Sequence, residues 1–294
     1  DANIIYSQLE ARGYIRNVVY DEATKMYSFD TVPVMVQLGY YLKRIFVEGD
    51  FGIGVSMAEY RNQPVWDVFT EKLPPTVLIN IYSSVIGVPI GLGLGIFAAL
   101  KKNKWQDQVI SVFVILLISL PSIVLGLVIQ YVFCFKLGWF PMKSGYDYFS
   151  WEMFRSMLPA VLSLCLGSIA GYARYTRAEL TEVLTSEFML LARTKGLTRG
   201  QATFRHALRN ALMPVVTMAG MNFGTLLGGT VTVETVFTLN GVGTLILTSI
   251  RSKDVPVVVG AIVILAICYT LVMLVVDILY GFIDPQVKAR YVKT

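Results

Sequence analysis

The side chains that could do chemistry in this chain are few, and their spacing forms no recognisable active site. His206 is the single histidine, and no histidine, cysteine or carboxylate stands at metal-ligand spacing from it. Cys134, Cys165 and Cys268 each lie in an apolar run, which is typical of small buried residues rather than of disulfides. Phosphate-loop, zinc-protease and serine-hydrolase motifs are absent from the sequence. We therefore predict no catalytic residue, no cofactor-binding residue and no metal site in this chain.

Two other patterns could suggest ligand binding. Gly91, Gly93 and Gly95 alternate with leucine, but they lie inside an apolar run and lack the spacing of a nucleotide loop, so we exclude nucleotide binding there. Arg205 and Arg209 are one helical turn apart and could contact either lipid phosphates or carboxylates of a partner protein. The pair taken alone favours lipid phosphates.

The composition is that of a membrane protein. Hydrophobic residues make up 55% of the 294 residues and charged residues 15%, with a mean hydropathy of +0.60. Soluble domains are about 45–50% apolar and about 25% charged, so this composition excludes a disordered chain, a disulfide scaffold and an ordinary cytosolic enzyme. Orientation in the membrane explains the formal net charge of +5 better than nucleic acid does. The lipid bilayer is therefore an expected partner and nucleic acid is not.

Five apolar runs approach or exceed the length of about 20 helical residues that crosses the hydrocarbon core. In chain order they are 76–100, a stretch within 109–135, about 158–172, about 212–233, and 255 to about 279. The sequence thus predicts an all-α polytopic membrane protein with five transmembrane helices in this chain. Prolines in or beside these runs indicate kinked helices, which are more typical of a transporter than of an anchor.

Lysine and arginine in the short loops predict the orientation. Segments 101–108, 173–211 and 280–294 hold 13 of these residues, and the opposite short loops hold five. The positive-inside rule therefore places these three segments in the cytoplasm and residues 1–75 outside. An exported region of that length normally requires a transmembrane helix in front of it, so we expect a further helix before Asp1 and six in total.

The exterior N-terminal region is predicted to hold two helices at the membrane surface. Apolar residues recur at helical spacing over 34–45, and the turn residues 49–52 end that pattern. Pro64 can open a second, short helix, which the proline pair at 74–75 is expected to end.

The long segment between the third and fourth runs is predicted to form a helix, a glycine and a second helix. Thr185 or Ser186 can cap the first helix, over 187–195, and Gly196 ends it. A capping box formed by Thr198 and Gln201 opens the second helix. The first of these helices has no spanning role.

The first of these helices has an apolar stripe formed by Phe188, Leu191 and Ala192. A stripe of this kind indicates that the helix docks against another surface. Composition alone supports equally the protein's own helix ends and a separate protein as that surface.

Gly220, Gly224 and Gly228 repeat every four residues in the fourth run. The repeat leaves one helix face as bare backbone and predicts close contact with another helix. It does not indicate which helix that is.

Glu234 stands at the outer end of this run, close to the glycines at 241 and 243. An acid at the edge of hydrocarbon must face water or a hydrogen-bond donor. We expect it to tie down the outer loop through backbone N–H groups. The alternative is a gating role, in which Glu234 holds an outer gate shut or meets a binding protein.

Several motifs together resemble the oligopeptide and dipeptide branch of the binding-protein-dependent ABC transporter permeases. The central one runs from Leu191-Ala192-Arg193-Thr194-Lys195-Gly196-Leu197 to Arg205-His206-Ala207-Leu208-Arg209-Asn210-Ala211-Leu212-Met213-Pro214 and is similar to the EAA loop of that branch. The others are Gly49-Asp50-Phe51-Gly52, Leu73-Pro74-Pro75-Thr76, Val233-Glu234-Thr235-Val236-Phe237, Val276-Asp277-Ile278-Leu279-Tyr280 and Asp284-Pro285. The chain departs from the general motif at its glutamate, where Leu190 and Leu191 stand.

The resemblance implies the fold of type I ABC importer permeases and a set of partners. These are a homologous second permease, two cytoplasmic ATPase subunits that carry ATP and Mg²⁺, an extracytoplasmic substrate-binding protein and a peptide substrate. The helix ending at Gly196 would then be the coupling helix that binds an ATPase subunit. The residues implied in coupling are Leu191, Ala192, Arg193, Thr194, Lys195, Gly196, Arg205 and Arg209.

On this basis we predict an extracytoplasmic region over 1–75, a transmembrane permease domain over 76–285 with its coupling loop at 179–211, and a cytoplasmic tail over 286–294. Nickel and glutathione permeases share these motifs and stay open as alternatives for the cargo. A different class of function, an autonomous channel or membrane anchor, would have no use for a capped coupling helix.

Overall fold

A computed structural model describes residues 2–22, 24–142 and 150–283 of the chain. These residues form helices and one β-hairpin. The helices are α1 (Ala2–Ala11), α2 (Val34–Lys43), α3 (Val65–Leu100), α4 (Trp105–Ser119), α5 (Ser122–Ile129), α6 (Trp151–Leu184), α7 (Glu187–Thr194), α8 (Arg199–Ala202), α9 (Leu208–Gly229), α10 (Val231–Val236), α11 (Val242–Arg251) and α12 (Val255–Ile283). The strands β1 (Ile15–Asp21) and β2 (Met26–Thr31) pair antiparallel. The all-α prediction therefore holds, apart from this hairpin.

Three of the described helices are long and apolar enough to cross a membrane: α3, α6 and α12. Helix α4 and the helix over Ser122–Lys136 are apolar enough together for a broken fourth span or a re-entrant loop, and they are bent by 100° at a short break that contains Pro121. The fourth predicted run corresponds to α9, but the side chains of 221–229 lie outside the described residues. The third run was expected to be short, whereas α6 has 34 residues because a polar helix continues past the apolar stretch.

The expected helix end at Pro74-Pro75 is wrong. Helix α3 runs for 36 residues through both prolines and through Pro89. A proline removes one backbone hydrogen bond, but its fixed φ is compatible with a helix, and neighbouring groups in a membrane protein can satisfy the freed carbonyls. Burial on both sides of the pair, at Phe69 and Ile79, outweighs that local cost.

Contacts divide the chain into two compact units. The first consists of Asp1–Glu71 and Ile246–Ile264, and the second of Lys72–Leu245 and Leu265–Thr294. The predicted division at residues 75 and 285 stays a prediction, since it assigns compartments to the regions and these units are groups of contacts.

In the first unit, the helix over 34–45 forms as predicted and continues as a π-helix to Glu48. Gly49 ends it with φ +67°, a left-handed conformation that favours glycine. The Tyr41 side chain is buried, and this burial raises the pKa of its hydroxyl to about 12.

A polar contact of the first unit is made by Asp254, which is fully buried. Its carboxylate accepts hydrogen bonds from three consecutive backbone N–H groups, at Val55 (3.0 Å), Ser56 (2.7 Å) and Met57 (3.0 Å). Successive amides of this kind form an anion-binding concavity. The segment 55–57 is thereby fastened to the residue that precedes α12.

In the second unit, α6 is the central helix and packs against α4, α5, α9 and α10. Helix α3 approaches it closely at two glycines. A Cβ at Gly91 would lie 2.9 Å from the Ile169 carbonyl oxygen, and one at Gly95 would lie 2.7 Å from the Ala173 carbonyl oxygen. The two helices therefore touch through backbone atoms.

Candidate functional site

The segment 187–209 follows α6 after a two-residue turn. The hydroxyls of Thr185 and Ser186 donate to carbonyls in the last turn of α6, at Glu182 (2.9 Å) and Val183 (2.6 Å). The prediction that one of them caps α7 is therefore wrong: these hydroxyls serve the preceding helix. They hold the turn between α6 and α7 tightly to the end of α6.

Gly196 ends α7 as predicted, with φ +88°. The backbone N–H of Leu197 donates to the Ala192 carbonyl at 3.4 Å, which is the six-to-one bond of a Schellman motif. Among the described residues other than its two chain neighbours, none has an atom within 4 Å of the position that a Cβ on Gly196 would take. The requirement for glycine here comes from the backbone conformation and not from crowding.

The predicted capping box is confirmed. The Thr198 N–H donates to Gln201 Oε1 at 3.1 Å, and the Gln201 N–H donates to Thr198 Oγ1 at 3.3 Å. The helix opened in this way begins as α8, passes through a π-helix over Thr203–Ala207 and continues as α9 beyond Pro214.

The buried face of α7 differs from the predicted stripe. Met189 and Ala192 are buried in a cluster with Leu180 of α6 and with alanines of the following helices. Phe188 and Leu191 of the predicted stripe are exposed, so the chain's own helix ends do not cover them. The alanines at 202, 207 and 211 pack against Met189 and Ala192. Phe188 and Leu191 therefore lie on the outer side of α7.

Exposed residues form the outer surface of segment 187–209. Leu190 is 64% exposed, Leu191 57% and Phe204 67%. The exposed polar residues among those implied in coupling are Thr194, Lys195, Arg205 and Arg209. The side chain of Arg193 lies outside the described residues. This surface combines unpaired apolar side chains with basic ones.

Asp107 and Arg177 form an ion pair that sequence reasoning missed. Arg177 of α6 donates through Nη2 to Oδ2 of Asp107 in α4 at 2.7 Å, and through Nε to Oδ1. The Asn103 N–H donates to the same Oδ2 at 3.0 Å. Asp107 is 2% exposed. The sequence offered two signals for this pair. Asp107 stands just before the second apolar run, and Arg177 stands just after the third.

Glu234 lies fully buried in α10. Its Oε1 accepts from the hydroxyls of Thr76 (2.7 Å) and Thr230 (2.8 Å), and its Oε2 accepts from the Thr244 N–H (2.9 Å). The Thr76 oxygen also accepts from the Val242 N–H at 2.9 Å. The carboxylate therefore joins α3, α10 and the first turn of α11. This geometry favours the structural role, in which Glu234 holds the outer loop in place through hydrogen bonds. The gating role stays a prediction.

The glycines beside Glu234 leave no room for side chains. A Cβ at Gly241 would lie 2.5 Å from Thr76 Oγ1, and one at Gly243 would lie 2.7 Å from the Val231 Cα. Both glycines allow the loop to approach the buried carboxylate.

Of the predicted glycine face, the surroundings are described at Gly220. A Cβ there would lie 2.5 Å from a methyl group of Val276, so this part of α9 faces α12 of the same chain. Gly224 and Gly228 lie outside the residues whose surroundings are described.

The chain matches a known protein family. Residues 91–289 match the family described as "Binding-protein-dependent transport system inner membrane component". The chain is similar to the glutathione transport system permease protein GsiC of Escherichia coli (strain K12), with 38% identity over 258 residues, which cover 88% of this chain and 81% of that protein. The protein of the same name from Shigella dysenteriae serotype 1 matches to the same extent.

The fold is similar to those of solved transporters. The MetNI methionine ABC transporter in an inward-facing conformation gives a TM-score of 0.62 at 19% identity, covering 74% of this chain and 97% of that one. A bacterial ABC transporter involved in the import of alginate gives 0.58 at 14% identity, covering 85% and 95%. These two likenesses show the fold alone. Since the family match covers residues 91–289 and the relatives are 38% identical, the chain belongs to the binding-protein-dependent transport system inner membrane components, the permease subunits of ABC importers.

Proposed function

We propose that this permease subunit imports small peptides of the size of glutathione, and that an ATPase subunit docks on segment 187–209 to drive the import. The observation that carries the docking step is the exposed apolar side of α7. Leu190 and Leu191 project from a helix whose opposite side is fixed in the protein's own core. Fully burying a leucine contributes about 1.5–3 kcal/mol, so a partner that covers both residues gains a substantial part of its binding free energy there.

The basic residues beside this apolar surface extend the same proposal. Arg205 and Arg209 are exposed and lie one turn apart. Guanidinium groups bind carboxylates with two parallel hydrogen bonds, so an acidic surface on the ATPase would match them. The motif resemblance also supports a homologous second permease and an extracytoplasmic substrate-binding protein as partners.

The docking step is tested by reversing the character of the apolar side. Leu190→Glu should abolish co-purification of the ATPase subunits and substrate uptake, while membrane insertion is unchanged. Gln201→Glu is the matched control, because it adds the same charge to the same segment and keeps the capping box. Retention of the ATPase subunits by Leu190→Glu would contradict the proposal.

The cargo is tested in proteoliposomes that hold the permease pair, its ATPase subunits and its binding protein. Uptake of labelled glutathione should require ATP and should be inhibited by unlabelled tripeptides but not by Ni²⁺. Competition by Ni²⁺ alone would assign a nickel permease. Flux without ATPase subunits would instead assign an autonomous channel.

A further inference from the structure

We propose that Asp107 and Arg177 are positioning residues that force α4 to move together with α6 and α7 during the transport cycle. This inference rests on the proposed docking of an ATPase subunit on α7. The pair would extend the mechanical effect of docking from one transmembrane helix to a second one.

The first step is the connection between α7 and α6. The hydroxyls of Thr185 and Ser186 bond the turn to the end of α6. Met189 and Ala192 share an apolar cluster with Leu180, which lies one turn before the end of α6. A displacement of α7 by a docked partner is therefore passed to the end of α6.

The second step is the contact between α6 and α4. One to three turns away from the ion pair along both helices, Val114 and Leu117 of α4 pack against Ala170 and Ala173 of α6. Apolar packing is non-directional, and contacts with small alanine side chains resist sliding weakly. Packing alone would let α6 slip along α4.

The ion pair fixes the position of α6 along α4. A guanidinium that holds both oxygens of one carboxylate fixes distance and orientation together. The Asn103 N–H, in the turn before α4, donates to the same Oδ2 of Asp107 that Arg177 binds. The carboxylate therefore cannot follow Arg177 unless the start of α4 follows too. A buried carboxylate that loses its arginine is strongly destabilised, which opposes separation.

The motion can be measured directly in the assembled transporter. Spin labels at Val109 of α4 and Tyr175 of α6, both exposed, report the distance between the helices after the three native cysteines are replaced by alanine. In the otherwise unchanged protein this distance should stay the same between the nucleotide-free and the ATP-vanadate-trapped states. With Arg177→Gln it should differ between those states. A change of the distance in the protein with an intact pair would overturn the proposal.

The functional consequence is a loss of coupling rather than of ATP hydrolysis. Arg177→Gln should lower the substrate transported per ATP hydrolysed by about fivefold or more, the lower end of typical coupling between sites. Arg177→Lys, which keeps the charge but loses the two-point bond, should give a smaller loss and serves if the glutamine variant does not assemble. Arg174→Gln, at an exposed arginine one turn away, is the matched control.

An unchanged transport-to-hydrolysis ratio in Arg177→Gln would overturn the role of the pair, as would an equal loss in Arg174→Gln. The docking proposal fails separately, if Leu190→Glu retains the ATPase subunits. The spin-label distance in the protein with an intact pair can be measured whether or not the docking proposal holds, so the two failures are distinguishable.

Discussion

Glu234 shows how a single buried acid can organise a loop without a basic partner in the contacts described. Two threonine hydroxyls and one backbone N–H donate to its oxygens. Each donor comes from a different part of the chain, α3, the residue before α10, and the first turn of α11. The carboxylate therefore acts as a junction, and the flanking glycines let the backbone reach it.

Replacing Glu234 should lower the stability of the second unit. Glu234→Gln puts an amide donor among donors and should cost about 1–3 kcal/mol, and Glu234→Ala should cost more because it also leaves a cavity. Thermal unfolding of the detergent-solubilised protein measures both, with the exposed Thr235→Ala as control. If Glu234→Ala keeps full stability but raises basal ATP hydrolysis of the complex, the gating role is correct instead.

At the scale of elements, the contact between α3 and α6 depends on two glycines and not on the third. Gly91→Ala and Gly95→Ala place a methyl group within 3 Å of the α6 backbone, whereas no atom lies within 4 Å of a Cβ at Gly93. We expect the first two substitutions to destabilise the protein by about 1–3 kcal/mol and Gly93→Ala to be neutral or stabilising. Equal melting temperatures for all three variants would show that α3 and α6 separate easily.

Gly196 provides a second test at this scale. Gly196→Val forces a β-branched residue into a left-handed conformation, which should cost about 1–3 kcal/mol locally and loosen the end of α7. Gly200→Val is the matched control, because it also has open space around it but lies in a helix. We expect Gly196→Val to retain less of the ATPase subunits than Gly200→Val does. Equal retention would show that the end of α7 at Gly196 does not contribute to docking.

Local chemistry made some elements predictable from the sequence. The glycine at 196, the capping box at 198–201 and the turn at Gly49 depend on neighbouring residues, and each forms as expected. The course of α3 through Pro74 and Pro75 and the buried face of α7 depend on packing partners far away in the chain. Asp254 bonds to amides 197 to 199 residues distant, which no pattern in one sequence reveals.

At the scale of the whole molecule, the ion pair is consistent with the predicted orientation. Segments 101–108 and 173–211 were both assigned to the cytoplasm by their lysine and arginine content, and Asp107 and Arg177 bring these two segments into contact. This contact agrees with the prediction that both segments lie on the same side of the membrane.

Labelling with a membrane-impermeant thiol reagent checks the orientation. In a variant without native cysteines, Lys102→Cys and Thr194→Cys should react only from the cytoplasmic side, and Ser252→Cys only from the outside. All three positions are exposed. The permease is labelled without its ATPase subunits, which would cover Thr194, so that access differs only by compartment. Reaction of Lys102→Cys and Thr194→Cys from opposite sides would contradict both the orientation and the contact between their segments.

The unequal burial of two long helices has an evolutionary consequence. The most apolar stretch of α6 is 56% buried against the chain's own residues, whereas that of α12 is 22% buried. A substitution on α6 changes contacts with several neighbouring helices. At most positions on α12, by contrast, the side chain only has to be apolar. We expect α6 to accept few replacements and α12 to drift freely among leucine, isoleucine, valine and phenylalanine. A selection that scores every single substitution for growth on peptide would show α6 as a band of intolerance and α12 as a permissive one.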